Sequence, residues 1–196
     1  MIKNLGVFSF VMLLALTSCS SDDATPTTET TSENCVSDIG FFQPAKTRLY
    51  NVKQFGFEAG TMRLTVGDCN GNGYTVARVT TDLAGASQTA TDLWKQDGDF
   101  LLSDAGNDGD YFSKLYKKNA QLNETWSVTR PNGSVVTHKV IDMDSLISVP
   151  AGSFHCKVYK YNTSTAINDS YIFWNDEVGQ IKEDAGFLSI ELKSYN

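Results

Sequence analysis

Chemistry needs particular side chains at particular spacings, and few stretches of this 196-residue chain supply them. Asp68-Cys69-Asn70-Gly71-Asn72-Gly73 matches the opening half of a calcium loop, in which alternate oxygens face the ion and a glycine permits the sharp turn. The bidentate glutamate that should close such a loop is missing, because Val79 holds its position. An Asn/Gly-rich hairpin turn accounts for Asp68, Asn70 and Asn72 equally well, so no metal is expected there. His138 and His155 are the only histidines, and neither has a second ligand at zinc spacing. Cys156 next to His155 could form a nucleophile–base pair only if both faced one way, and neighbours on a strand face opposite ways. No Gly-x-Ser-x-Gly elbow occurs, and none of the many carboxylates is singled out for glycoside cleavage. Trp94, Trp126 and Trp174 could stack on a sugar or line a lipid pocket, although such residues more often anchor a core. No catalytic residue and no cofactor is therefore assigned.

The net charge of -7 argues against nucleic acid, since neutralising phosphates requires a basic face. A hydrophobic content of 41% is ample for one packed domain. Lys3 followed by the apolar run Leu5 to Leu16 reads as a secretion signal over residues 1–18, because a bilayer span needs about 20 apolar residues. The signal ends in Leu16-Thr17-Ser18-Cys19, which resembles the lipobox of bacterial lipoproteins. That resemblance implies cleavage between Ser18 and Cys19 and diacylglycerol on the Cys19 thiol. Ser20-Ser21-Asp22-Asp23 looks like the export signal of Bacteroidetes surface lipoproteins, so the cell surface is the expected address and the periplasmic face the alternative. Residues 19–34 bury almost nothing and read as a tether that could reach about 50 Å when extended.

Three cysteines remain in an oxidising compartment, so at most one bridge forms. Phe154, Cys156 and Val158 alternate onto one face, which marks Cys156 as a buried thiol. Cys35, opening the folded region, and Cys69, in the expected turn, are the preferred pair. From Cys35 onward short alternating runs recur between Gly, Asn, Asp or Pro turns: Thr61–Val66, Tyr74–Thr81, Thr89–Gln96, Phe100–Ser103, Glu124–Arg130, Ser134–Asp142, Phe154–Tyr161, Ser170–Trp174, Val178–Glu183 and Phe187–Tyr195. Residues 111–122 suit a strand or a short helix. The pattern predicts a single all-β domain over residues 35–196, an antiparallel meander rolled into an open or closed barrel, with a β-sandwich as the alternative.

The C-terminal half carries Asn123-Glu124-Thr125-Trp126, Val149-Pro150-Ala151-Gly152-Ser153-Phe154, Tyr171-Ile172-Phe173-Trp174 and Glu177-Val178-Gly179-Gln180-Ile181-Lys182. This order is similar to that of uncharacterised secreted or lipid-anchored bacterial β proteins with a Val-Pro-Ala-Gly-x-Phe motif. The usual form has Gly where Asn123 stands, and Asn also accepts positive φ. The resemblance implies a turn-and-core framework and brings no activity with it. More remotely it suggests the half-barrels of envelope lipoprotein carriers that hold an acyl chain.

The sequence thus points to a lipid-anchored outer-membrane lipoprotein acting as a non-enzymatic binding or accessory module, with glycan, lipid or envelope protein as possible partners. A carrier of a hydrophobic ligand and a polymer hydrolase are the alternatives. If the thioether lipid is the anchor, a Cys19→Ser variant is released from membranes. Fractionating cells that express it checks this, and retention in the pellet would defeat the assignment.

Overall fold

In the computed structural model, residues 35–105, 111–166 and 168–196 are described. The signal segment, Ser18, Cys19 and the tether lie outside the described residues. Alternation of inward and outward side chains produces twelve strands in chain order: β1 Thr47–Gln54, β2 Phe57–Cys69, β3 Tyr74–Asp82, β4 Ser87–Asp97, β5 Phe100–Asp104, β6 Ser113–Lys117, β7 Thr125–Thr129, β8 Val135–Val149, β9 Gly152–Thr163, β10 Ser170–Asn175, β11 Gly179–Asp184 and β12 Leu188–Tyr195. They pair antiparallel in one sheet of order β6-β5-β4-β3-β2-β1-β12-β11-β10-β9-β8-β7. Two six-strand meanders are therefore joined where the first strand meets the last, as in Val52 opposite Ile190. The sheet curls into a nearly closed barrel, which excludes the sandwich alternative.

Two local features were missed and one open alternative is settled. β1 was not anticipated, because its inward phase is Arg48-Tyr50-Val52 and its outward phase includes Leu49, so polarity does not alternate cleanly. β2 runs on to Cys69, past a bulge after Val66, and the turn starts only at Asn70. Residues 113–117 form a strand, which settles the strand-or-helix ambiguity.

One end of the barrel is filled by chain that precedes β1. Ile39, Phe41 and Phe42 are almost wholly buried. Phe41 packs on Trp174 and edge-on to Tyr116, while Phe42 meets Tyr74 and Trp94. Each such side chain contributes about 2 kcal/mol on burial. A Cys35–Cys69 disulfide ties the start of this plug to the end of β2. Arg48, also buried, fixes the plug from inside. Its guanidinium lies 5.4 Å from the Phe41 ring centre and donates hydrogen bonds to Phe41 O and to Val178 O, the latter at 2.6 Å.

That arrangement explains Gly179 in the C-terminal motif. Its φ is +99°, and a Cβ there would sit 3.0 Å from both the Phe41 ring and Arg48 Nε. Gly186 has φ +79° but open space around it. Gly179→Ala should therefore cost about 1–3 kcal/mol, and Gly186→Ala less. Paired thermal unfolding curves check this, and equal losses would remove the plug as the reason for the glycine.

Candidate functional site

The meander alternates its turns between two ends, and the end opposite the plug is hollow among the described residues. Here the inward phase continues with polar residues: Arg78 follows Tyr74 and Val76 on β3, Asp92 precedes Trp94 on β4, Glu183 follows Ile181 on β11, and His138 and Tyr161 face each other across β8 and β9. Two adjoining cavities result, of about 380 and 360 Å³. Both are lined by Arg78, Ser113, Leu115, Gln180 and Glu183, so they form one chamber with two compartments.

The first compartment is mainly apolar, running from Trp94 past Leu64 and Met62 to Ile190 and Leu188. The second lies along the seam between β6 and β7, the two edges of the sheet, which are not paired with each other among the described residues. Near the plug the seam is closed by side chains. Tyr159 donates from its hydroxyl to Lys117 O at 2.9 Å, Lys157 Nζ to Lys118 O at 2.9 Å, and Lys117 pairs with Glu124. Toward the open end, Ser113 and Lys114 on one side and Val128 and Arg130 on the other border the chamber instead.

The chamber's carboxylates, Glu183 and Asp92, already have partners. Glu183 accepts from the Tyr161 hydroxyl at 2.7 Å and from Gln180 Nε2 at 3.0 Å. Asp92 accepts from Arg78 at 3.3 Å; burial raises its carboxyl above the usual range, Arg78 opposes this and Asp104 adds to it. Several buried polar atoms, in contrast, are unmatched. Trp126 Nε1, Trp174 Nε1, His138 Nδ1 and the Tyr111 hydroxyl are buried without a hydrogen-bond partner among the described residues. A buried polar atom left unmatched costs about 1–3 kcal/mol. His138 is stacked between Trp126 and Tyr161, with ring centres 5.4 and 5.7 Å away. Burial first, and the charge of Arg130 second, depress its pKa to about 4.

The residues singled out by sequence have the following places. Trp94, Trp126 and Trp174 are 6%, 8% and 2% exposed, and their faces are covered by Phe42, His138 and Phe41 respectively. They offer no open stacking platform; Trp94 and Trp174 reach the chamber from its walls. Asp68 lies on β2, and Asn70 Oδ1 accepts the Asn72 N–H at 3.0 Å, which stabilises the hairpin turn. Cys156 is buried, with burial pushing its thiol up to about 12, while His155 on the opposite face pairs with Asp144 at 2.7 Å in the open. Sequence reading missed Arg78, Lys114, Arg130 and Glu183. A usable signal existed for Arg78 and Glu183, because each stands in the apolar phase of its strand.

Fold and chamber together define a split, twelve-stranded antiparallel β-barrel with a plugged floor and a polar-lined interior. No protein-family model matches the chain, and no curated protein does. Among solved structures it is similar to a candidate exported protein with YmcC-like fold from Bacteroides fragilis NCTC 9343. The TM-score is 0.52 at 12% identity, covering 80% of this chain and 99% of that one. At that identity the likeness concerns the fold.

His138 supplies a measurable signature of the hollow end. Its pKa falls from the ordinary 6.5 to about 4 on folding, so the folded state excludes a proton that the unfolded state takes up. The neutral ring's contribution is complete above pH 6.5 and is lost as pH falls toward 4, by about 1.4 kcal/mol per pH unit. Denaturant unfolding of wild type and His138→Phe across that range should show the extra slope in the wild type alone. Parallel slopes would mean that His138 is solvated.

Proposed function

We propose that this chain is an exported lipoprotein, anchored at the outer membrane through Cys19, whose barrel is a non-enzymatic binding module holding a small ligand in its chamber. The observation that carries the binding role is the chamber itself, two adjoining compartments of about 380 and 360 Å³ bordered by Arg78, Lys114 and Arg130, with the carboxylate Glu183 already engaged by Tyr161 and Gln180. A ligand that supplies acceptor oxygens to those cations completes their coordination. The same architecture argues against catalysis as the main role. The chamber's carboxylates are held by Tyr161, Gln180 and Arg78, and the one described free cysteine is buried with a raised pKa.

Anchoring rests on the lipobox-like Leu16-Thr17-Ser18-Cys19 and its acidic sequel. The similarity to a candidate exported Bacteroides protein agrees with passage across the inner membrane. Two ester-linked acyl chains hold a protein stably at a bilayer, so the barrel need not itself bind membrane.

Native mass spectrometry of the mature chain, carrying Cys19→Ser behind a cleavable secretion signal and purified without detergent, tests the binding role. The expected spectrum shows an adduct lost on denaturation. A clean apoprotein mass at every preparation would count against an occupied chamber.

A further inference from the structure

We propose that the chamber takes a single-chain amphiphile, with an anionic oxygen headgroup in the seam-side compartment and its hydrocarbon tail in the apolar compartment and across the barrel rim. This rests on the binding role proposed above and names the chemistry of its ligand.

The two compartments differ in charge and in polarity. The seam-side wall carries Arg78, Lys114 and Arg130 against one carboxylate, Glu183, which already accepts hydrogen bonds from Tyr161 and Gln180. Of these cations, Arg78 is engaged by Asp92 through one guanidinium nitrogen at 3.3 Å, and Lys114 lies over the Phe100 ring at 4.3 Å. Three cations that border one volume against a single, already engaged carboxylate fit a group that is both anionic and rich in acceptors, a carboxylate or a phosphate.

The apolar compartment continues from that point without a break. Arg78 and Leu115 border both compartments, and Met62, Ile190 and Leu188 lead outward. Leu188 belongs to the chamber wall and also to the exposed rim. There the turns after β1, β3 and β11 display Phe55, Phe57, Leu83 and Phe187, between 57% and 78% exposed. Phe55 and Phe187 touch, with ring centres 6.2 Å apart, and the Phe55 N–H donates to Phe187 O at 2.7 Å. Large apolar side chains concentrated at the mouth of a cavity mark a binding edge. A wholly polar ligand would leave this edge bare, and a plain hydrocarbon would leave the cations without a counter-charge.

Isothermal titration of the delipidated mature chain with dodecanoate, dodecyl phosphate and dodecan-1-ol tests the head, and hexanoate tests the tail. One anionic amphiphile is expected to bind at one site per chain, about tenfold or more tighter than the alcohol. Whichever anion binds more tightly identifies the headgroup, and either supports the inference. Arg130→Met, at an exposed position that does not threaten folding, and Arg78→Met should each erase the preference for the anion and leave the alcohol unchanged. Phe55→Ser combined with Phe187→Ser should weaken dodecanoate and spare hexanoate. Equal affinity for anion and alcohol, or no binding of any of the three, overturns the inference. If a native adduct is present and none of these amphiphiles displaces it, the amphiphile assignment fails while the binding role survives. A chamber that is always empty and takes none of them removes both.

Discussion

Twelve strands curl into a cylinder wider than their own side chains can fill, because barrel diameter grows with strand number. Small eight-stranded barrels solve this by packing inward residues into layers; this barrel has to import material or leave space. It does both. Ile39, Phe41 and Phe42 enter one end and complete a core of Tyr50, Tyr116, Tyr159 and Trp174, all nearly inaccessible. The segment that does this is short, so only half of the interior receives it. The remaining half is the chamber, and its existence follows from the strand count and the length of the plug.

The same geometry explains the seam. A sheet whose first and last strands pair, Thr47–Gln54 against Leu188–Tyr195, pushes its unpaired edges to the middle of the sequence, at β6 and β7. These edges are only five residues each, and β6 carries Lys114 and Lys117, both features that discourage pairing with another chain. Closure at the plug end relies on Tyr159 and Lys157 reaching from β9 to the carbonyls of Lys117 and Lys118. Where those contacts stop, the edges border open volume instead. The second compartment is therefore the gap that the incomplete ladder leaves.

Much of this was legible beforehand. Period-two alternation between Gly, Asn and Pro turns located most strands, and it required an antiparallel arrangement with local connections. Asn123 has φ +67°, a left-handed conformation that Asn accepts, as the sequence reading expected of this turn. Gly179 yields its reason only in three dimensions, since Phe41 and Arg48 lie far from it in sequence. β1 was invisible because an arginine occupies its inward phase, and alternation analysis counts such a residue as outward. The chamber escaped notice because charged residues are read as outward by default, although Arg78 and Glu183 stand in the inward phase of their strands. Whether an interior is hollow depends on how many strands close the sheet, and that is decided by the pairing of β1 with β12, the longest-range strand pairing among the described residues.

Two inward arginines show how a structural charge is told from one available to a ligand. Arg48 is buried at the floor, its guanidinium directed to two carbonyls and covered by Phe41, and burial lowers its pKa. Such a cation is fully used by the fold, and removing it would leave two carbonyls bare in the core. Arg78 occupies the equivalent inward phase nearer the mouth, where it meets one carboxylate oxygen and two compartments of empty space. Burying a charge is costly unless it is paired and hydrogen-bonded, so a half-used guanidinium is tolerated only where solvent or a ligand completes its coordination. Lys114 and Arg130 border the same volume, and the carboxylates there, Glu183 and Asp92, are already engaged. The anionic guest proposed above would complete around Arg78 the coordination that the fold itself completes around Arg48.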